Sequence, residues 1–335
     1  MTKSPAVNII LLLTGLVLLF YLNLFFGSTT LNWSDVQSGI AHTIFYDIRL
    51  PKSITAIIAG GGLAVAGLLM QTLFRNPLAG PYVLGVSSGA GLAVAIAMML
   101  FGGITDYLAG KSLISAAAVS GSLLVMLLVL FISKRSKSNI TVLLVGVMFS
   151  QILGAAQGII EYVSNPASLK SFIVWGMGSV SNTTLTDVKL ITVIVMLLVT
   201  FTLFLSKSLN ALLLNEAYAQ NLGINVNRLR IFIIIITACL TGIITAFCGP
   251  IAFVGLSVPI ASRLIFKTSH QLHQIVYSFL LGALTLLLCD CICQLLSSNY
   301  LLPINTITTL IGSPVVIYLL FKSKAVIFAI VFNDI

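Results

Sequence analysis

The residues best suited to chemistry lie together in the run CDCIC, which holds three of the five cysteines of the chain. Cys289 and Cys293 are one helical turn apart, with Asp290 beside the first of them, a spacing compatible with a soft-metal site. Cysteine is also among the commonest buried residues and packs as a small hydrophobe. Because the chain has no pair of CxxC motifs, we expect no metal site and interpret these cysteines as packing residues.

Asp290 and Gln294 also stand one turn apart on one helix face, inside a long apolar run. An ionisable group in such surroundings is costly, so a functional or partnered role is the default hypothesis. Few other acids or histidines occur within the apolar runs. The sequence therefore argues against a chain of proton-relaying side chains.

The segment TDYLAGKS, from Thr105 to Ser112, ends like a phosphate-binding P-loop. Its first position is Thr105, where the motif requires glycine, and no strand precedes it. The chain also has no HExxH motif and no Ser/His pair on facing helices. We therefore expect no catalytic residues, no bound cofactor and no enzyme activity, so that any ATP and magnesium would be bound by a separate chain.

The composition identifies the solvent that surrounds most of the chain. Of its 335 residues, 59% are hydrophobic and only 7% are charged, and the mean hydropathy is +1.13. A soluble domain carries about 25% charged residues, so a lipid bilayer must replace water around this one. This excludes a soluble enzyme, a nucleic-acid-binding protein and a disordered regulator.

Apolar runs of about 20 residues predict membrane spans. Nine strong candidates occur along the chain, at 6–26, 52–74, 82–101, 112–133, 140–163, 188–206, 229–248, 271–297 and 303–322. A tenth segment, 256–266, is too short to cross alone, and Pro259 removes a backbone donor near its start. We predict an all-α integral membrane protein with about ten transmembrane helices, forming a single domain over residues 1–335.

The distribution of cations orients these spans. With ten spans and both termini in the cytoplasm, twelve of the seventeen lysines and arginines fall on the cytoplasmic side. That excess agrees with the positive-inside rule. Nine full spans would instead place Lys322 and Lys324 outside, so the charges favour ten.

Two short sequences suggest an internal duplication. GPYVLGVS begins at Gly80, and GPIAFVGLS begins at Gly249 with one extra residue. In a five-plus-five arrangement, spans 1–5 and 6–10 would run in opposite directions, as inverted repeats do. The match is short, and chance remains the alternative.

The longest loop on the predicted cytoplasmic side differs in kind from the spans. In residues 209–226, polar residues such as Asn215 and Gln220 alternate with leucines and alanines, as in short amphipathic helices. Gly223 can end such a helix. The loop would either dock a soluble partner or lie on the membrane surface.

Several blocks resemble one transporter family. The sequence IRLPKSITAIIAGGGLAVAGLLMQTLFRNPLAGPYVLGVSSGAG begins at Ile48, and WGMGS, NEAYAQNLG, GPIAFVGLSVP and LPINTITTLIGSP follow along the chain. Together these blocks closely resemble the FecCD permeases of ATP-driven importers for iron chelates, haem and cobalamin. The resemblance covers essentially the whole chain.

The resemblance implies an ABC type II importer permease architecture with a homodimer of ten-span subunits. Two ABC ATPase subunits would bind from the cytoplasm, and an extracytoplasmic substrate-binding protein would deliver cargo. The remaining partner is the lipid bilayer, and no nucleic acid is expected. Coupling to the ATPase is implied for five residues of the loop, namely Asn215, Glu216, Ala217, Leu222 and Gly223.

On the outer face, Arg49 matches a family arginine that docks the binding protein, and charge-assisted pairs of this kind fix register. A second arginine usual in the family is replaced here by Gln294, so Lys52 or another outer cation would take its place. Two further departures from the family pattern are Ile260, where histidine is usual, and Asn305, where glycine is usual.

The resemblance also implies a translocation pathway with a cytoplasmic gate near the start of the fifth span. The expected pathway and gate residues are Asn76, Pro77, Gly85, Ser87, Ser88, Asn139, Ile140 and Thr141. The expected cargo is an iron(III)-siderophore-type chelate, and the expected location is a bacterial inner membrane. Haem or cobalamin is the alternative cargo, and an ion-coupled secondary transporter is the alternative class.

Overall fold

In the computed structural model, the described residues are 4–26, 36, 39–82, 84–100, 107–135, 139–296 and 302–332; most of them are helical, and no strand occurs among them. In chain order the helices are α1 (Pro5–Phe25), α2 (Gly39–Thr43), a π-helical turn (Ile44–Arg49), α3 (Leu50–Phe74), α4 (Val86–Leu100), α5 (Tyr107–Arg135), α6 (Asn139–Val163), α7 (Pro166–Gly176), α8 (Leu185–Phe204), α9 (Ser206–Leu214), α10 (Glu216–Asn221), α11 (Val226–Cys248), α12 (Val254–Phe266), α13 (Gln271–Leu296) and α14 (Ile304–Phe332). The predicted all-α membrane fold is confirmed.

Each of the ten predicted membrane segments has a helix. Seven helical stretches are long and apolar enough to cross a membrane, and three shorter apolar stretches, Val86–Met99, Val254–Phe266 and Ile304–Tyr318, supply the rest. The short segment around Pro259 is the 13-residue helix α12. At about 1.5 Å per residue, α12 is only about 20 Å long, which is less than a hydrocarbon core of about 30 Å.

The predicted full span at 82–101 was too long. Helix α4 begins only at Val86 and has 15 residues, so it is about 22 Å long. Pro81 lacks a backbone donor, and Gly85 adopts φ +79°, so the helix cannot start earlier. The segment before α4 is therefore irregular, although its side chains are as apolar as those of a helix.

Helices α4 and α12 both begin inside the bundle and not at its surface. A Cβ on Gly67, in the interior of α3, would overlap the backbone of Gly255 in the first turn of α12. Gly85, immediately before α4, packs against Gly146 and Ser150 of α6. The residue before α12 is Phe253 at φ 66°, so a left-handed residue precedes each of the two short helices.

Helix α3 is the central element of the bundle. It packs against α8, α11, α12 and α13. At the crossing with α13, Gly60 and Gly282 face each other so closely that a Cβ on either would overlap the carbonyl of the other. In a membrane, where the hydrophobic effect does not drive helices together, such small-residue contacts allow the dispersion attraction that holds the bundle.

The packing pattern repeats in the two halves of the chain. Helix α3 packs on α12 and α13 in the second half, and α11 packs on α4 and α5 in the first. Within each half, α4 contacts α5 and α6, as α12 contacts α13 and α14. Equivalent helices in the two halves therefore have equivalent neighbours.

Candidate functional site

One end of the bundle carries a two-helix elbow formed by α9 and α10. The elbow has an inner and an outer face: Leu209 and Leu212 are 0% and 1% exposed, whereas Tyr218 and Leu222 are 47% and 58% exposed. The buried leucines fasten α9 to the spans. Tyr218 and Leu222 therefore leave two large apolar side chains exposed at the end of the bundle.

The local sequence explains why the chain bends at the elbow. Asn215 lies between the two helices in extended conformation, and its side-chain oxygen accepts a hydrogen bond from the Ala217 backbone N–H at 3.3 Å. Asparagine is a favoured residue at this capping position. Gly223 at φ +79° follows α10 and ends it.

Polar contacts tie the elbow to the ends of three spans. The Arg75 guanidinium, just past the end of α3, donates to the Leu212 carbonyl from Nε at 3.1 Å and from Nη2 at 2.9 Å. The Asn210 side chain accepts from the first N–H of α13, that of Gln271, at 2.8 Å. These hydrogen bonds link the elbow directly to the end of α3 and the start of α13.

The third tether is an ion pair between Glu216 and Arg230. The Arg230 guanidinium lies 3.0 Å from the Glu216 carboxylate and joins α10 to α11. A partly exposed pair of this kind adds little stability, but it fixes the orientation of α10 relative to α11. Of the five predicted coupling residues, Glu216 is half-buried, and the other four (Asn215, Ala217, Leu222 and Gly223) are exposed on the elbow.

The predicted pathway and gate residues fall in three places along the chain. Asn76 and Pro77 lie in the turn that follows α3, where the Asn76 side chain accepts from the Leu78 N–H at 2.9 Å. Gly85, Ser87 and Ser88 form the entrance to α4, which contacts α6. The structure thus brings the α4 part of the set against α6.

The third place is the start of α6, where the predicted gate residues lie. The helix begins at Asn139, and Thr141 is exposed. The side chains of Asn139 and Ile140 lie outside the described residues. The role of this position as a gate stays a prediction.

At the opposite end of the bundle, a buried polar network surrounds Asp290. The Lys52 ammonium lies 2.9 Å from one carboxylate oxygen, with side-chain exposures of 12% for Lys52 and 3% for Asp290. The other oxygen accepts from the side-chain amides of Asn23 at 2.8 Å and Gln294 at 2.9 Å. The predicted intramembrane pair Asp290 and Gln294 is therefore partnered, and α1, α3 and α13 meet there.

Arg49 belongs to the same region but points inward. It is 6% exposed, and its Nη1 donates to the Leu24 carbonyl at the end of α1 at 2.8 Å. Of the two predicted docking cations, Arg49 is thus buried and Lys52 is half-buried, and both make polar contacts within their own subunit. Their role in docking a binding protein stays a prediction that would require these contacts to open.

A third cluster of polar contacts was not predicted from the sequence, although its residues lie in the quoted motifs. The Ser179 N–H donates to the Cys248 carbonyl at 2.7 Å, which joins the WGMGS block to the end of α11. The Asn305 side chain accepts from the Ala252 N–H at 3.0 Å. Asn305, a departure from the family pattern, therefore holds the irregular segment before α12, and only its polarity within an apolar block could have signalled this.

No cluster of three or more metal-ligating side chains occurs in the described part of the chain. The cysteines of the CDCIC run are free thiols, and Cys289 and Cys293 are buried. Cys291 lies 3.3 Å from the Asn23 amide, as a weak acceptor beside the Asp290 network. The arrangement agrees with cysteines that pack as small apolar residues.

Comparison with known proteins gives consistent matches over nearly the whole chain. The model of the FecCD transport family matches residues 15–322. The hemin transport system permease protein HmuU of Yersinia pestis is 30% identical over 323 residues, covering 93% of this chain and 96% of that protein. The vitamin B12 import system permease protein BtuC of Photorhabdus laumondii is 34% identical over 315 residues, covering 92% and 90%.

A solved structure shows the same fold. It is an inward-facing conformation of a metal-chelate type ABC transporter, with a TM-score of 0.84 and 30% sequence identity. The match covers 95% of this chain and 100% of that one.

Proposed function

This chain belongs to the FecCD transport family and is a multi-pass inner-membrane permease of an ABC importer, and on that premise we propose that it moves an iron(III)-siderophore-type chelate into the cytoplasm. A separate ATPase chain would supply the energy at the elbow. An extracytoplasmic binding protein would deliver the chelate at the Asp290 end. Both termini would then be cytoplasmic.

The observation that carries the proposal is the tethered elbow. The elbow exposes the apolar side chains of Tyr218 and Leu222 to a possible partner. Polar contacts of Arg75, Asn210 and Glu216 hold the elbow to α3, α13 and α11. Such an element has the form required to pass a movement of the partner to the membrane spans. A helix lying on the membrane surface would need no such polar tethers to the span ends. Docking of a soluble motor subunit is therefore favoured over membrane association.

The proposed subunit arrangement is a homodimer with two ATPase chains. Equivalent neighbours in the two halves of the bundle support the predicted inverted repeat of spans 1–5 and 6–10. An inverted repeat places the starts of α4 and α12 inside the bundle from opposite sides. Helix α6 has the lowest buried share of the seven long spans that the structure describes, so its exposed face is left for the second copy and the pathway.

The network around Asp290 bears on the alternative class. An ion-coupled secondary transporter needs ligands for its coupling ion near the middle of the membrane. One oxygen of the Asp290 carboxylate pairs with the Lys52 ammonium, and the other accepts hydrogen bonds from Asn23 and Gln294. The carboxylate is therefore already partnered within the subunit. The described residues therefore support an ATP-driven mechanism over an ion-driven one.

Uptake in cells tests the proposal directly. Cells lacking the gene are supplied with a radioactive ferric hydroxamate, haem or cobalamin, and rescued with the parent chain or with Tyr218→Glu. We expect restored uptake of the ferric chelate by the parent only, with sensitivity to ATP depletion. Rescue of haem or cobalamin uptake alone would show that the proposed ferric-chelate cargo is wrong. Loss of uptake on adding an uncoupler while ATP is kept constant would contradict an ATP-driven importer.

A further inference from the structure

Three hydroxyl groups meet where the two short helices α4 and α12 begin. The hydroxyls of Ser87 and Thr245 and the backbone of Ile251 lie around the Tyr82 hydroxyl. We refer to Tyr82, Ser87 and Thr245 as the hydroxyl cluster. All three hydroxyl oxygens are buried, yet none makes a hydrogen bond within the part of the chain that the structure describes. Because buried polar groups in proteins are nearly always satisfied, three such groups together indicate a ligand.

Thr245 differs from other buried threonines of the bundle. A threonine within a helix can donate its hydroxyl to the carbonyl four residues before it. Three buried threonines do so at 2.8 Å, namely Thr55, Thr72 and Thr202. Thr245 is 0% exposed and makes no such bond. Its hydroxyl is therefore available to a ligand beside Tyr82.

The starts of both short helices border the hydroxyl cluster. Ser87 is the second residue of α4, and Ile251 lies three residues before α12. The two starts are in contact, since a Cβ built on Gly255, in the first turn of α12, would lie 3.5 Å from the ring of Pro81. A helix carries a partial positive charge at its start, and the residue before α12, Phe253, supplies no side-chain cap. Two partial positive charges therefore lie close to the same three hydroxyls.

The charges around the hydroxyl cluster favour an anion as the ligand. No aspartate or glutamate occurs between Glu216 and Asp290, and α4 has none, so a cation would have no counter-charge here. Hydroxyls can all donate to one acceptor, and helix starts favour negative charge. The surroundings are closed, because Leu84, Val86 and Ile251 are each 0% exposed. A small, spherical anion suits an enclosed site better than a phosphate, whose several oxygens would each need a donor.

We propose that the hydroxyl cluster binds one chloride ion, which holds the irregular starts of α4 and α12 together. The three hydroxyls donate to the ion, and the two helix starts stabilise its charge. The ion is enclosed within one subunit, and its binding requires neither the ATPase nor the cargo. The inference therefore goes beyond the proposed function and is tested on the isolated chain.

Binding of radioactive chloride is the first test. The full chain is purified in mild detergent with gluconate as the anion, and chloride is titrated by equilibrium dialysis. We expect saturable binding of about one chloride per chain, displaced by bromide. Tyr82→Phe should weaken this binding at least about tenfold, because hydrogen bonds to a charged group are stronger than those between neutral groups. Absence of saturable binding would overturn the inference and leave ordered water as the ligand of the hydroxyls, and unchanged affinity in Tyr82→Phe would contradict the site.

Thermal unfolding of two matched threonine variants separates bound chloride from the simple loss of a hydroxyl. Thr245→Val removes a member of the hydroxyl cluster. Thr237→Val removes another fully buried, unpartnered hydroxyl of α11, about two helical turns away. Replacing gluconate with chloride should raise the Tm of the parent and of Thr237→Val by about 3 °C or more, and that of Thr245→Val by less than about a third as much.

The comparison among variants is the measure, because chloride and gluconate also differ in their general effect on stability. Equal shifts of Tm in the parent, Thr237→Val and Thr245→Val would contradict the inference. Tyr82→Phe serves in the same experiment if Thr245→Val does not fold, and it is expected to show the same small shift.

Discussion

Helices α3 and α6 are both 25 residues long, yet α3 is buried within the subunit and α6 is largely exposed at its surface. In the most apolar stretch of Gly39–Phe74, 89% of the residues are buried, against 6% for Leu144–Val163. Both helices are rich in small residues. In α3, Gly60 and Gly67 touch neighbouring backbones, whereas a Cβ on Gly154 or Gly158 of α6 would meet nothing within 4 Å.

The difference shows that the same residue type serves two levels of assembly. Small residues in α3 build the subunit, because α12 and α13 approach its backbone directly. Small residues in α6 are available for contacts that one subunit cannot supply. The comparison therefore separates changes that should damage folding from changes that should damage only transport.

The largest expected effect is at the core of α3. Gly67→Leu places a side chain where the backbone of Gly255 lies, and neither helix can move without disturbing the bundle. We expect no folded protein in a size-exclusion profile from mild detergent. The matched control Gly154→Leu, in open space on α6, should elute as the parent does, and equal behaviour of the two variants would contradict the comparison.

The next largest effect is expected in the polar network around Asp290, which joins α3 to α13 through Lys52. Asp290→Ala leaves the Lys52 ammonium buried without its carboxylate, which should cost about 3–5 kcal/mol. Thermal unfolding in detergent should show a clear fall in Tm. The double variant Lys52→Met with Asp290→Leu should recover most of that loss, and a normal Tm for Asp290→Ala alone would show that the pair contributes nothing.

A smaller effect is expected where α3 meets the elbow. Arg75→Ala removes both hydrogen bonds to the Leu212 carbonyl but leaves the buried leucines of α9 in place. Transport per ATP hydrolysed should fall about tenfold, within the range of coupling energies carried by single contacts. Arg228→Ala is the control, since that exposed side chain makes no hydrogen bond or ion pair with the described residues; similar losses in both variants would argue against a specific tether.

The smallest expected effect on stability is at the exposed helix α6. Gly158→Ala adds a methyl group in open space and removes a flexible residue, so the isolated subunit should gain up to about 1 kcal/mol. Unfolding of the detergent-solubilised chain measures this change. A marked loss of stability would mean that α6 packs against its own subunit.

Much of this architecture could be predicted from the sequence. Nine long apolar segments, the short segment at Pro259 and the amphipathic loop after α8 each contain a helix, because bilayer thickness limits the length of a span. The start of α4 could not be predicted as well. Residues 82–85 are apolar, and the positive φ of Gly85 together with its packing against α6 shows that the helix begins only at Val86.

The candidate site also has parts that the sequence predicts and parts that it does not. The elbow residues were visible from their alternating polarity, whereas their tethers were not, since Arg75 and Leu212 are separated by 137 positions. The partner of Asp290 was likewise hidden, because Lys52 lies on another span. Contacts between distant segments depend on helix packing, which periodicity does not specify.

The most direct test of the account is purification of the tagged chain from its native membrane in mild detergent, followed by mass spectrometry of the bound proteins. We expect an ATPase with nucleotide-binding motifs at one chain per permease chain, lost in a Tyr218→Glu variant that still folds. If no ATPase is recovered, even after crosslinking through Tyr218→Cys on the elbow, the coupling assignment is contradicted and an ATP-driven importer is excluded.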